Sequence, residues 1–237
     1  MGLLLACAPF TAEGRDERRA RGREHGWSGQ GELDYDMSRS RTNALRAGFE
    51  VEWGNPEAWI NLAGDTYGDP AGKLNFLDDS YLTLELGYAL HRSHEDRLYV
   101  NAMLDVDPHS LLSSRGWDLA PSLGVAWGLT KEWWIGGELG ATLATRPDQG
   151  NRNGYPSLSL WATWLCDLTP QGGDSLSLGL WLAGNEVPGE DNSVFAELEY
   201  AFDLTDSLEA KFGLGTDPVS PWDHLGVYVS AGLTWRF

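Results

Sequence analysis

The sequence predicts an all-β fold: a transmembrane, antiparallel, up-and-down β-barrel of 12 strands. Three observations predict it. From Trp27 onward, apolar residues alternate with small or polar ones in one segment after another. The connections between these segments alternate between short and long. Aromatic residues recur at one end of the segments. Side chains of a strand point alternately to opposite faces, so such segments are apolar on one face only. Each is close to the length of about 9–11 residues that a tilted strand needs to cross a bilayer.

The alternation is clearest over 224–237. Leu225, Val227, Val229, Ala231, Leu233, Trp235 and Phe237 share one face, and Gly226, Tyr228, Ser230, Gly232, Thr234 and Arg236 the other. The first strand, 27–38, sets Trp27, Leu33, Tyr35 and Met37 against Glu32, Asp34 and Asp36. The second, 43–54, sets Leu45, Ala47, Phe49, Val51 and Trp53 outward, with Arg46, Gly48, Glu50 and Glu52 inward. The third, 57–67, is less regular, with Ala58, Ile60 and Leu62 opposing Trp59, Asn61 and Ala63. In the fourth, 81–91, Leu82, Leu84, Leu86, Tyr88 and Leu90 oppose Thr83, Glu85, Gly87 and Ala89. The fifth, 97–106, sets Leu98, Val100, Ala102, Leu104 and Val106 against Tyr99, Asn101, Met103 and Asp105.

The sixth (117–128) and seventh (132–145) put Leu123, Val125, Trp127, Trp133, Ile135 and Leu139 outward, with Glu138 and Thr142 inward. The eighth (156–167) and ninth (174–185) present Leu158, Leu160, Trp164, Cys166, Leu176, Leu178 and Leu180. The tenth (193–203) sets Val194, Leu198, Tyr200 and Phe202 against Glu197 and Glu199. The eleventh (207–216) sets Leu208, Phe212 and Leu214 against Glu209 and Lys211. In lipid no water satisfies an open sheet edge, so the first strand must pair with the last.

The chain carries 17 Lys and Arg against 35 Asp and Glu, a net charge of −18. That balance excludes nucleic acid as a partner, since phosphates require basic surface. There is no run of about 18 apolar residues, hence no candidate membrane helix. Residues 1–12 read as the remnant of a signal peptide. Leu4-Leu5-Ala6-Cys7 fits a lipobox and Ala6-Cys7-Ala8 an ordinary cleavage site. Residues 13–26 carry five arginines without apolar periodicity and read as a disordered periplasmic arm, followed by the barrel over 27–237.

The closing stretch, alternating and ending Trp-Arg-Phe, resembles the last strand of Gram-negative outer-membrane β-barrels of porin-like type. The resemblance covers 27–237 and identifies no subfamily. It implies location in the bacterial outer membrane, contact with its lipid and lipopolysaccharide, and reading of Phe237 by the barrel-assembly machinery. Short turns then face the periplasm and long loops the exterior. Trp27, Trp53, Trp127, Trp133, Trp164, Tyr200, Trp235 and Phe237 all fall outward near the short-turn rim, as an aromatic girdle at the headgroup layer would.

Inside, the expected lining is Asp34, Asp36, Glu50, Glu52, Glu85, Asp105, Glu138, Glu197 and Glu199, with Arg46, Lys211 and Arg236 as cations. An acidic lumen favours cations. The inward glycines, among them Gly87, Gly124, Gly136, Gly140, Gly179 and Gly213, are expected to leave space for water, a ligand or a plug, and the Arg-rich arm is one candidate plug. The expected function is a porin-like channel for cations or small polar solutes. The alternatives are a closed structural or surface-binding barrel and, further off, a lipid-modifying enzyme. His25, His91, His94, His109 and His224 do not share an outward stripe with a serine, so no catalytic residues are assigned. No cofactor or metal motif is present. The loop acids Asp65, Asp69, Asp78, Asp79, Asp217 and Asp223 are read as solvated or as bridging divalent ions to lipopolysaccharide.

Overall fold

The computed structural model describes residues 26–38, 44–55, 57–68, 80–93, 97–108, 117–145, 153–166, 168–169, 172–185, 192–216 and 227–237. The signal-like segment, residues 13–25 of the arm and most of the long loops lie outside them, as do Cys7 and the loop acids Asp69, Asp78, Asp79, Asp217 and Asp223; Asp65, expected in a loop, is instead part of the third strand, opposite Gly48 and Tyr81. Twelve strands follow one another: β1 (Gly26–Ser38), β2 (Ala44–Asn55), β3 (Ala58–Gly68), β4 (Ser80–Arg92), β5 (Leu98–Pro108) and β6 (Trp117–Gly128), then β7 (Trp133–Ala144), β8 (Gly154–Cys166), β9 (Asp174–Ala183), β10 (Ser193–Thr205), β11 (Leu208–Thr216) and β12 (Val227–Arg236). Each pairs antiparallel with its sequence neighbours, and β1 pairs with β12 to close the barrel.

At the closing seam Gln30 lies opposite Arg236 and Leu33 opposite Leu233. Past the end of β12, Phe237 still exchanges backbone hydrogen bonds with Gly29, at 3.1 and 2.9 Å. Its ring lies over Gly29, where a Cβ would come within 2.5 Å of Cε2.

The apolar residues face away from the barrel axis. Leu139 is 63% exposed, Leu178 55% and Phe212 52%; Leu84 and Val229 are exposed as well. A sandwich would bury these same side chains between two sheets, so their exposure decides for a barrel whose outer face is covered by lipid.

The short connections are closed by side-chain oxygens that stand in for missing ladder partners. Asn55 Oδ1 accepts from the N–H groups of Glu57 and Ala58, at 2.9 and 2.8 Å. Ser93 Oγ accepts from Arg97 and Leu98 at 3.0 Å. Thr130 Oγ1 accepts from Glu132 and Trp133 at 3.1 Å. In the β8–β9 turn, Gly172 and Gly173 take φ of 69° and 80°, where a side chain would be strained. Asp174 then accepts from the N–H groups of Leu168 and Thr169 (2.8 and 2.6 Å) and from Thr169 Oγ1 (2.6 Å). Register shifts at Ala89/His91 and Asp203/Thr205 fall at this same short-turn rim.

Cys166 has the outward parity expected of it, yet it is buried, directly opposite Asp174 in the ladder. The turn that Asp174 organises removes this last residue of β8 from the outer surface.

Candidate functional site

The lumen is the concave surface on which the polar faces of all the strands converge. Around the short-turn rim the outward aromatics meet as neighbours, some across strands and some along one strand. Trp27 lies opposite Trp53 with ring centroids 6.3 Å apart, and Trp133 stacks on Trp164 at 5.9 Å. Tyr200 stacks on Phe202 at 5.5 Å, and Trp235 meets Phe237 edge-on at 6.4 Å. Trp127 stands outward and exposed at the same rim. Tyr200 also donates its hydroxyl to Asp174 Oδ2 at 3.2 Å, joining the girdle to the β8–β9 turn.

Inside, acids from separate strands are drawn together. Glu50 accepts hydrogen bonds from Gln30 Nε2 and Asn61 Nδ2, on the strands to either side. Trp59 Nε1 donates to Glu85 Oε1 at 2.6 Å. Glu85 stands directly opposite Asp105 in the β4–β5 register. Its carboxylate is also close enough to Glu50 and Glu138 for like-charge repulsion. Residues of β2, β4, β5 and β7 thus bring carboxyl groups to one part of the inner face. Glu138 lies between Gly124 and Ser159 in the ladder. Beside it, Asn101 Oδ1, Ser122 Oγ and Ser159 Oγ are buried with no hydrogen-bond partner among the described residues.

Positive charge gathers elsewhere. Arg236 pairs with Glu209 (2.7 Å) and Asp203 (3.3 Å), clamping β10, β11 and β12 at the short-turn end. Lys211 is buried between Ala201 and Gly232. Arg92 lies over the Tyr99 ring, 5.4 Å from its centroid. Glu197 and Glu199 are half-buried on β10, and Glu52 is exposed near the end of β2. Asp34 lies opposite Arg46 in the β1–β2 register, and Asp36 is further along β1; the side chains of these three lie outside the described residues.

The expectation that inward glycines leave open space is corrected. A Cβ on Gly87 would lie 1.9 Å from Trp59 Cε2, one on Gly136 2.3 Å from Trp161 Cζ2, and one on Gly179 2.1 Å from Trp181 Cη2. Gly213 is covered by Ser230 and Glu197, and Gly124 and Gly140 have neighbours at 3.0–3.1 Å. Gly87, Gly136 and Gly179 are seats for large side chains of the lumen. Tyr99, Trp134, Trp161 and Leu165, with Ala126, make a buried apolar cluster inside the β5–β8 wall. Sequence reasoning did not single out this cluster, the Trp59 donor or Asp203. The alternation placed each on the inner face, but their contacts cross strands.

No family model matches the sequence, and no curated protein matches it. Solved structures do match in fold. The NanC porin aligns with a TM-score of 0.65 over 87% of this chain and 100% of its own, at 12% identity. The KdgM porin aligns at 0.60 over 88% and 99%, at 7% identity. An outer-membrane channel from Pseudomonas putida F1 aligns at 0.56 over 91% and 96%, at 10% identity. The closed barrel, its apolar exterior and these neighbours agree: the chain has the fold of an integral outer-membrane porin.

Proposed function

We propose that the protein is an outer-membrane channel passing cations and small polar solutes through an acidic lumen, with its short turns in the periplasm. The observation that carries this reading is the convergence of Glu50, Glu85 and Glu138, with Asp105 directly opposite Glu85. Like charges held together in a confined, low-dielectric space attract counter-ions and concentrate them there. The oxygens of Asn101, Ser122 and Ser159, buried without a partner among the described residues, support a wet lumen, because a buried polar atom costs about 1–3 kcal/mol unless water or a solute satisfies it. One solved structure shows the KdgM porin in complex with disordered oligogalacturonate, a polyanion. The acids here favour cargo of the opposite sign.

The aromatic cluster of Tyr99, Trp134 and Trp161 favours a second reading, a closed barrel that serves as a structural or surface-binding element. Planar-bilayer recording of the purified full chain separates the two. Reproducible current steps in KCl support the channel. A folded, inserted and electrically silent protein supports the closed barrel.

A further inference from the structure

Apart from Trp59, the rings described inside the lumen fall into two groups. Tyr99, Trp134, Tyr155 and Trp161 are buried. Trp181, Phe195 and Tyr228, towards the long-loop ends of β9, β10 and β12, stay half-exposed. These three form a continuous run. Trp181 and Phe195 have centroids 4.9 Å apart, and Phe195 stacks on Tyr228 at 5.8 Å with planes 7° from parallel.

A carboxylate lies beside the run. Glu197 follows Phe195 on the inner face of β10, and its direct partners in the ladder are Gly179 and Gly215. The indole of Trp181 lies over Gly179, and the Tyr228 ring lies over Gly215, each within 2.4 Å of where a Cβ would stand. An indole and a phenol therefore occupy the wall on either side of Glu197, with Phe195 next to it along the strand. The Glu197 carboxylate leans over Gly213 beside Ser230 Oγ. Lys211, the wall's own cation, is buried one step further down β11.

Aromatic faces carry negative potential and attract cations whose hydration is weak, organic ammonium groups above all. A carboxylate among such rings adds charge without demanding the ordered water shell of a small metal ion. We infer that Trp181, Phe195, Tyr228 and Glu197 form a binding subsite for small organic ammonium ions at the long-loop end of the lumen. The inference rests on the channel reading for its physiological sense, since the subsite would select cargo ahead of the acids deeper in. Binding itself does not require conduction.

The test is calorimetric titration of choline chloride into the full chain, folded in a neutral polyoxyethylene detergent, with 3,3-dimethyl-1-butanol as the uncharged isostere. Saturable choline binding is expected, with the isostere at least about ten-fold weaker. Glu197→Gln and Phe195→Leu should each weaken choline by about ten-fold. Heat-modifiable electrophoretic mobility establishes that each variant is folded. Equal binding of the isostere would reduce the rings to an apolar surface and overturn the inference. So would the absence of choline binding to folded protein, or unchanged affinity in both folded variants. Choline binding in an electrically silent barrel would defeat the channel reading alone; cation currents without choline binding would defeat the subsite alone.

Discussion

Trp59 and Glu85 are joined across the lumen face of the β3–β4 seam: the indole Nε1 donates to Oε1 at 2.6 Å while the ring covers Gly87. One side chain therefore fills a notch in the wall and orients an acid of the charged cluster. Gly87→Ala places a methyl group 1.9 Å from the indole. Overpacking of this kind costs about 1–3 kcal/mol. The unfolding midpoint in urea should fall, and the current through any pore should change because Glu85 loses its donor position. Trp59→Phe removes the donor and keeps most of the packing, so it should alter ion selectivity more than stability.

Glu138 and Leu139 are adjacent residues on opposite faces of β7. Leu139 is 63% exposed, near the middle of its strand. Leu139→Arg should destabilise the barrel in lipid vesicles by about 2–4 kcal/mol, the cost of a cation at the bilayer midplane. Glu138→Arg should fold normally and reduce cation preference. Equilibrium refolding into vesicles, followed by Trp fluorescence, reads the first. Reversal potentials read the second. Similar stability losses in both variants would contradict the assignment of faces.

Asp174 is fully buried and accepts from two backbone amides, the Thr169 hydroxyl and the Tyr200 hydroxyl. Asp174→Ala leaves both amides without that acceptor and should cost about 2–3 kcal/mol, in the range for bonds to a charged group. Tyr200→Phe removes a single donor and should cost about 1 kcal/mol. Amide hydrogen exchange at Leu168 and Thr169 should accelerate strongly in the first variant and little in the second.

The strands are legible in the sequence because a barrel imposes a period-2 pattern over its whole length, and the bounds 117–128 that the pattern predicts for β6 are the ones it has. β3 read as less regular because Trp59, a large aromatic, occupies the inner face, where the pattern anticipates small or polar residues. Its reason lies two strands' worth of sequence away, in the notch at Gly87. The same holds for Trp161 over Gly136. A glycine states that something fits over it, while the identity of that occupant depends on register and on how a neighbouring ring leans. Arg236 was legible as an inward cation. Its pairing with both Asp203 and Glu209 depends on the register of three strands and on the irregularity at Asp203/Thr205, which alternation alone does not encode.

The reversal potential of single channels in a KCl gradient measures the charge inside the barrel most directly. A potential displaced towards that of K⁺ is expected, with a smaller displacement in the Glu85→Gln, Glu138→Gln double variant. A potential displaced towards that of Cl⁻, or one indifferent to these two substitutions, would contradict an acidic lumen.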